Sequence, residues 1–513
     1  MMQVIVSTLL AVIIGLSCMF VSCDGQTPGS TTESENVSVG TLETSSGPEL
    51  PITDPIATYA GYISGTIYED AGTTIHVYLG IPYAAPPVGD LRWKPPQPVT
   101  PWEGVRECTT FGSQAPQDEV WVDRTVPVSE DCLYLNVMTP AEKPSDKLPV
   151  MVEFHGGALS WGNCNIDVKL RARFIERDVV LVGVNSRLDV LGLLTHPLLS
   201  EESPEGVSGN YMFLDLMAAL EWVQKNIAAF GGDPDNVTIF GASGGGVKAT
   251  ALVASPLAGG LFHRAIIESG TIPADKMLLL PEAESLGEEL FARLGVDDAD
   301  DPLAEARALG WEEILEAAES MQPGIPTPFH ATVDGWFLLD RAYNVFQAGN
   351  QNAVPCIIGF VFGEADRSGP MYLIDFSSYC SNFVAGVEKA GAEGYAYIFD
   401  QVPYTWRCEG VASYHGLDYE VYLFGNLDEQ GIWAMNAQIL GIEPLVPGIQ
   451  YQDRMVSNAM MEMWTKFART GDPNIEGLIK WPVYQAAKDE YLYIAYPLEV
   501  RVGFSEIIGE FDN

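Results

Sequence analysis

Short runs of apolar and β-branched residues alternate with longer stretches of helical spacing from residue 56 onward. Such an alternation predicts a mainly parallel sheet that is covered by helices on both faces. The predicted strands are residues 149–154, 179–185 and 237–240, Arg264–Glu268, Cys356–Val361 and 491–496. Residues 491–496 are expected to be the last strand. The pattern therefore indicates an α/β body over residues 56–513.

Two stretches between these strands place apolar residues three and four positions apart, the spacing of an amphipathic helix. The first begins at residue 216, and Gly231, Gly232 and Pro234 at its end are typical of a helix stop. The second, residues 280–322, is acidic and is expected to be a cap or side layer over the sheet.

The first 55 residues have a different character from the rest of the chain. Residues 4–21 are apolar and uncharged, and we interpret residues 1–23 as a leader. Cys18 and Cys23 each follow a serine and an apolar stretch, which resembles a bacterial lipoprotein processing site. Residues 24–55 are rich in Ser, Thr, Gly and Glu and are expected to be a flexible tether. We expect export with a lipid anchor; cleavage and secretion, or a membrane-spanning anchor, are the alternatives.

Acidic residues outnumber basic ones by 69 to 27, which gives a formal net charge of −42. This balance argues against nucleic acid or an anionic membrane surface as a partner, because both require clustered Lys and Arg. A solvated acidic surface is the simplest interpretation, and attraction of cationic or neutral small molecules is the alternative. The chain has no C-x-x-C, H-E-x-x-H, P-loop or dinucleotide motif, so no metal or organic cofactor is expected.

The segment N-V-T-I-F-G-A-S-G-G-G-V-K-A places Ser243 between a predicted strand and a predicted helix. A G-x-S-x-G motif in this context is typical of the nucleophile elbow, where glycines allow a strained turn to pass close to its neighbours. The following helix N-terminus favours developing negative charge beside the serine. An ordinary glycine-rich turn is the alternative interpretation.

A second glycine-rich motif, H-G-G-A at residues 155–158, follows the strand P-V-M-V-E-F. Glycines there allow backbone N–H groups to converge on the oxyanion of a tetrahedral intermediate, and each such donor contributes roughly 10²–10³ in turnover. A plain strand end would explain the glycines equally, but the motif precedes the serine elbow in the order found in esterases.

These motifs resemble the carboxylesterase/cholinesterase (type-B carboxylesterase) family of α/β hydrolases. The resemblance begins near residue 58 and includes Y-L-G-I-P-Y-A-A-P-P-V-G, S-E-D-C-L-Y-L-N-V, L-F-H-R-A-I-I-E-S-G and W-T-K-F-A-R-T-G-D-P-N. It implies an α/β-hydrolase fold and a Ser–Glu–His triad. The acid would be Glu364 in P-C-I-I-G-F-V-F-G-E-A, with Asp366 as its nearest competitor, and the base would be His415 in S-Y-H-G-L-D-Y-E.

The resemblance implies a role for each of these residues. Ser243 would attack the ester and His415 would take its proton while Glu364 orients the imidazole. The N–H groups of Gly157, Ala158 and Gly244 would bind the oxyanion.

The resemblance also implies two structural pairs. One is an ion pair between Arg92 and Glu130. The other is a disulfide at Cys132, for which Cys108 is the nearest available partner in this sequence.

The chain departs from the family pattern near the expected site. The elbow carries Ala242 and Gly244 where the family has Glu and Ala, and Gly363 stands where the family has Asp. Only about fifty residues separate the expected acid from the expected base, which predicts a reduced helical cap layer and a more open site. Trp121 lies near the position of a choline-binding tryptophan, but a packing role is the simpler interpretation.

Three functions remain open at this stage. The first is hydrolysis of uncharged carboxylic esters. The second is a catalytically silent, esterase-like binding module at the cell surface, which the retained Ser243, Glu364 and His415 disfavour. The third is hydrolysis of a related amide, carbamate or lactone bond, which uses the same chemistry. The sequence predicts neither the physiological ester nor the oligomeric state.

Overall fold

A computed structural model describes residue 52 and residues 54–70, 72–117, 125–272, 277–322, 327–365, 379–440 and 446–509. The leader, nearly all of the tether, and Cys18, Cys23, Trp121 and Asp366 lie outside the described residues. What the sequence indicates about them therefore stays a prediction.

The described residues contain sixteen strands, most of them short. They are β1 Ile56–Thr58, β2 Gly61–Ser64, β3 Thr66–Asp70, β4 Thr73–Pro82, β5 Val105–Glu107, β6 Tyr134–Thr139, β7 Leu148–Phe154, β8 Val180–Val184, β9 Gly232–Ala242, β10 Arg264–Glu268, β11 Leu278–Leu279, β12 Thr332–Val333, β13 Cys356–Val361, β14 Gly394–Phe399, β15 Glu490–Ile494 and β16 Glu499–Val502.

Fifteen α-helices are interspersed with these strands in the described part of the chain. They are α1 Ala172–Ile175, α2 Asp189–Leu193, α3 Pro197–Glu202, α4 Tyr211–Asn226, α5 Gly244–Ala254, α6 Leu280–Leu294, α7 Pro302–Ala308, α8 Trp311–Met321, α9 Ala342–Ala348, α10 Phe362–Ala365, α11 Cys380–Lys389, α12 Tyr404–Cys408, α13 Gln430–Leu440, α14 Tyr451–Thr470 and α15 Glu506–Gly509. Within the described ranges, none of them has both the length and the apolar character needed to cross a bilayer.

Eleven of the described strands form one sheet, in the order β16-β15-β14-β13-β10-β9-β7-β8-β6-β4-β3. The seven strands from β15 to β8 pair in parallel, whereas the outer pairs at both ends are antiparallel. The prediction of a mainly parallel sheet is therefore confirmed.

Side chains that alternate along the central strands fill two hydrophobic cores, one on each face of the sheet. Val150, Val152 and Phe154 of β7 belong to one core, and Met151 between them belongs to the other. Because both faces of the central strands are buried, apolar residues occupy consecutive positions, without the polar alternation of a half-exposed strand.

The predicted strands agree with the observed ones to within two residues, except that β9 begins five residues before the predicted start at residue 237. Arg264–Glu268 and Cys356–Val361 agree at both ends. The predicted helix stop is also confirmed, because Gly231 has the left-handed φ of 77° after α4 and a 3₁₀ turn. The acidic region 280–322 forms α6, α7 and α8, as its pattern predicts.

One strand prediction is wrong. Residues 491–496 are not the last strand, because β16 follows β15 and pairs with it antiparallel. Strand β16 is a short, largely exposed edge strand with charged side chains, so its sequence lacks the apolar run that marks the central strands.

The predicted Cys108–Cys132 disulfide is also wrong, because both are unpaired, buried thiols. The N–H of Cys108 donates to the carbonyl of Ser64, and its carbonyl accepts from the N–H of Leu79. Cys132, two residues before β6, is instead buried near Asp215 and Arg187. Burial raises the pKa of Cys108 to about 11 and that of Cys132 well above its usual value, so both remain protonated and unreactive.

The predicted ion pair between Arg92 and Glu130 is confirmed. The guanidinium donates from Nε to Oε1 at 2.7 Å and from Nη2 to Oε2 at 2.6 Å. The same arginine donates from Nη1 to the carbonyl of Leu309 at 2.8 Å, next to α7. Arg92 therefore links Glu130 to the end of α7, in the acidic region 280–322.

Candidate active site

The carboxyl ends of the parallel strands lie at one edge of the sheet, where ligands bind in open α/β folds. Ser243 follows β9, residues 155–158 follow β7, and Glu364 lies three residues after β13. Ser269 directly follows β10, which lies between β9 and β13. The topology therefore brings most of the residues predicted for the site to a single edge.

Ser243 has φ 57° and ψ −125°, which is strained backbone for a residue with a side chain. Its N–H donates to the carbonyl of Glu268 at 2.9 Å, and it caps the start of α5. A Cβ at Gly241 or at Gly245 would lie only 2.4 or 2.0 Å from the carbonyl oxygen of Phe154. The strand–turn–helix geometry predicted for the elbow is confirmed. Glycine is required at positions 241 and 245 because the backbone of the elbow passes close to that of Phe154.

Residues 155–158, which we call the glycine loop, approach the start of α5. Gly157 and Ala158 both have positive φ, at 97° and 50°. A Cβ at Gly244 would lie 2.8 Å from the backbone nitrogen of Ala158, so the loop and the helix are in close contact. The hydrogen bonds of the described residues leave the N–H groups of Gly157, Ala158 and Gly244 unused.

Asp189, at the start of α2, contacts the residues that follow the glycine loop. Its N–H donates to the carbonyl of Leu159 at 2.8 Å, and its Oδ1 accepts from Thr327 Oγ1 at 2.7 Å. Burial raises the pKa of Asp189 to about 6. Asp189 therefore links Leu159, directly after the glycine loop, through its N–H to the segment that precedes β12, through its carboxyl group.

His415 and Glu364 are in direct contact, because His415 Nδ1 donates to Glu364 Oε1. The other carboxylate oxygen, Oε2, accepts from Ser269 Oγ at 2.9 Å and from the N–H of Val361 at 3.2 Å. Glu364 and His415 are both buried. Two further donors therefore hold the carboxylate so that Oε1 faces the imidazole.

A second hydrogen bond joins α10, which carries Glu364, to the segment that carries His415. The N–H of Gly363 donates to Ser413 Oγ at 3.2 Å, one position before Glu364 and two before His415. Gly416, with φ 81°, then leads into a π-helical segment, Leu417–Leu423. This local structure fixes the position of His415 although it lies 16 residues beyond the end of β14.

Further carboxyl groups lie buried behind the pair. Burial and the nearby Glu364 carboxylate raise the pKa of Asp418 to about 7, although the hydroxyl of Tyr397 donates to it at 3.0 Å. Burial and Asp418 raise the pKa of Glu268 well above its usual value. Among the described residues, no group of three His, Cys, Asp or Glu side chains is arranged to bind a metal ion.

Sequence reasoning missed several contacts around the site. Ser269 lies in the I-I-E-S-G motif, which carried the family resemblance without a role for its serine. Lys248 is the one lysine of α5, and a lysine among small and apolar helix residues is itself a signal of unusual burial. No sequence signal identified Ser413, because its contact with Gly363 depends on how α10 approaches a segment fifty positions away.

Comparison with known proteins agrees with this geometry. Residues 53–378 and 369–506 match the carboxylesterase family. Carboxylesterase 5A of Canis lupus familiaris is 32% identical over 87% of this chain and 86% of its own length. Fumonisin B1 esterase of Sphingopyxis macrogoltabida is 38% identical over 59% of this chain and 55% of its own. The crystal structure of a Geobacillus stearothermophilus carboxylesterase is 30% identical, with a TM-score of 0.72 over 87% of this chain and 97% of that one.

The central sheet, the serine elbow and these structural neighbours define an α/β hydrolase. Within that class, the chain belongs to the carboxylesterase family. It is a hydrolase that acts on carboxylic esters, and its substrates are small-molecule esters.

Proposed function

We propose that Ser243, His415 and Glu364 form a catalytic triad that hydrolyses carboxylic esters through an acyl-enzyme on Ser243. The contact of His415 Nδ1 with Glu364 Oε1 is the observation that carries the proposal. A carboxylate that accepts from Nδ1 leaves the Nε2 lone pair to take a proton from a nucleophile. The strained, buried Ser243 at the same edge of the sheet is the candidate nucleophile.

In the proposed mechanism, Ser243 Oγ attacks the ester carbonyl carbon while His415 Nε2 accepts the hydroxyl proton. The N–H groups of Gly157, Ala158 and Gly244 stabilise the oxyanion, and His415 then gives its proton to the departing alcohol. Water attacks the acyl-enzyme by the same route, and the carboxylic acid is released. The unused N–H groups and the close approach of Ala158 to Gly244 support this assignment.

The proposed substrates are uncharged esters with a moderately apolar acyl or alcohol part. A formal net charge of −42 repels anionic substrates, which favours neutral or cationic ones. The short connection between Glu364 and His415 supports a more open site than is usual in the family, because fewer residues are available to build a cap.

The test is hydrolysis of p-nitrophenyl acetate, butyrate and octanoate by the wild-type protein and by Ser243→Ala. We expect kcat to fall by about 10⁴-fold or more in the variant, to a rate close to background. Ser285→Ala, an exposed serine of α6, is the matched control and should keep wild-type turnover. Equal turnover by wild type and Ser243→Ala would contradict the proposal.

Covalent labelling separates the nucleophile from a general loss of folding. A fluorophosphonate probe should label the wild type with a stoichiometry of about one, label His415→Ala slowly and fail to label Ser243→Ala. Labelling of Ser243→Ala at the wild-type rate would place the nucleophile elsewhere. Ester and amide versions of one chromogenic substrate, compared on the wild type, then report which acyl bond is preferred.

A further inference from the structure

Helix α5, which begins directly after Ser243, carries a lysine in its interior. Lys248 is fully buried, and its helix is otherwise built from glycine, alanine and other small or apolar residues. The contacts of the described residues include no ion pair between Lys248 and a carboxylate. Burying an amine without a counter-charge is costly, so a specific contact must compensate.

That contact is with His155, the first residue of the glycine loop. Lys248 Nζ lies 3.1 Å from His155 Nε2 and 3.1 Å from the His155 carbonyl oxygen. His155 Nδ1 lies 2.8 Å from the carbonyl oxygen of Gly156, which can only accept, so the ring proton is on Nδ1. His155 Nε2 is therefore an acceptor, and Lys248 donates two hydrogen bonds to one residue.

These two hydrogen bonds join the two parts of the backbone that supply the proposed oxyanion donors. Gly157 and Ala158 follow His155 in the glycine loop, whereas Gly244 begins the helix that carries Lys248. The separation of loop and helix is already tight, since a Cβ at Gly244 would lie 2.8 Å from the Ala158 nitrogen. A small shift of either part would move its N–H groups away from a common point.

We propose that Lys248 is a positioning residue that fixes the glycine loop against helix α5 through His155 and so keeps the oxyanion donors convergent. The inference rests on the proposed function, because it assigns Lys248 a role in the same oxyanion site. Lys248 itself contacts neither Ser243 nor substrate in this role; it acts through the loop.

The protonation of both groups is consistent with this role. Burial lowers the pKa of Lys248 to about 7, with Cys164 as the nearby titratable group that opposes the shift. Burial and Lys248 hold the pKa of His155 well below its usual value, so the imidazole is neutral and able to accept. The amine donates to both acceptors whether or not it carries its third proton.

The test is steady-state kinetics of Lys248→Met, which keeps the length of the side chain and removes both donors. We expect kcat for p-nitrophenyl acetate to fall about tenfold or more while KM changes less than about threefold, because an oxyanion hole binds the transition state selectively. The inhibition constant of a trifluoromethyl ketone, which forms a tetrahedral oxyanion, should weaken by a similar factor. Lys225→Met, an exposed lysine of α4, is the matched control and should change neither value.

If Lys248 only stabilised the fold, Lys248→Met would lower the fraction of active protein but not the turnover of each active molecule. Active-site titration with the fluorophosphonate counts the active molecules and so separates the two cases. Unchanged kcat per titrated site and unchanged ketone inhibition in Lys248→Met would overturn the inference. If Lys248→Met does not fold, Lys248→Leu, which also removes both donors, takes its place with the same criteria. Turnover by Ser243→Ala equal to wild type would instead mean that the proposed function itself has failed.

Discussion

Ser269 Oγ lies 2.9 Å from Oε2 of Glu364, the carboxylate whose other oxygen contacts His415. The hydroxyl and the N–H of Val361 thus bind the oxygen that faces away from the imidazole. A carboxylate fixed in this way presents Oε1 to the imidazole without having to reorient during each proton transfer.

Ser269→Ala should therefore lower kcat for p-nitrophenyl butyrate by about tenfold, with KM nearly unchanged. A hydrogen bond to a charged group contributes roughly 1.5–3 kcal/mol, and part of that loss appears in the transition state, where the imidazole is charged. Ser505→Ala removes a serine–carboxylate hydrogen bond with Asp489 on the exposed surface and is the matched control. Wild-type kcat in folded Ser269→Ala would mean that Val361 alone orients the carboxylate.

Gly245 is the position in the elbow where added volume should be least tolerated. A Cβ there would lie 2.0 Å from the carbonyl oxygen of Phe154, so α5 and β7 would have to separate. Gly245→Ala should lower the free energy of unfolding by more than about 3 kcal/mol in guanidinium denaturation. In Gly448→Ala the new Cβ would meet Thr405 at 3.6 Å, an ordinary contact, and the change should stay within about 1 kcal/mol. Comparable stability of the two variants would contradict the steric explanation.

The sequence predicted the central strands and the elbow because local requirements determine them. The Val- and Ile-rich run Cys356–Val361 is buried on both faces, so its pattern is continuous and its limits are clear. Ser243 was identified because the turn around it requires glycine at fixed positions. Glu364 and His415 followed from the resemblance to the carboxylesterase family, and the two side chains are in contact in the structure.

The remaining features depend on contacts between distant segments. The apolar surroundings of Lys248 in α5 indicate burial, but its partner His155 lies 93 positions earlier, so their contact could not be predicted. The Cys108–Cys132 pairing failed because cysteine spacing does not report whether two thiols meet. Strand β16 was missed because an exposed edge strand has no apolar run.

Removal of one partner from the ion pair between Arg92 and Glu130 should destabilise the fold strongly. Both side chains are largely buried, and the arginine also donates to the carbonyl of Leu309 at 2.8 Å. Arg92→Met should lower the free energy of unfolding by about 3–5 kcal/mol, because it leaves the Glu130 carboxylate buried without its partner. Chemical denaturation at pH 7 provides the measurement.

The control for this prediction is an ion pair at the surface. Arg454 and Asp428 are 2.6 Å apart, but each is nearly half exposed. Arg454→Met should therefore cost less than about 1 kcal/mol. The double variant Arg92→Met/Glu130→Leu should recover part of the loss, since it removes the unpaired charge as well. An equal cost for Arg92→Met and Arg454→Met would contradict the role of burial.

Asp418 should make the protein less stable as pH rises from about 4 to 7. Its pKa is raised from 3.8 to about 7 in the folded state, chiefly by burial and then by Glu364. Between these values the native state binds the extra proton, so the free energy of unfolding falls with increasing pH. Asp418→Asn retains an acceptor for the hydroxyl of Tyr397 and cannot ionise. The variant should match the wild type near pH 4 and exceed its stability by a few kcal/mol above pH 7.

Asp428→Asn is the control, because the pKa of Asp428 is shifted in the opposite direction from that of Asp418. Hydrogen bonds from Arg454 lower the pKa of Asp428 to about 2, so its stabilising effect is lost only as pH falls from about 4 toward 2. The difference in stability between Asp428→Asn and wild type should therefore stay constant from pH 4 to 8, whereas that of Asp418→Asn rises. Guanidinium unfolding at each pH measures both. The prediction fails if the stability of Asp418→Asn relative to wild type does not change between pH 4 and 8. The carboxyl group of Asp418 would then already be ionised at pH 4 in the wild type, and burial would not hold its proton.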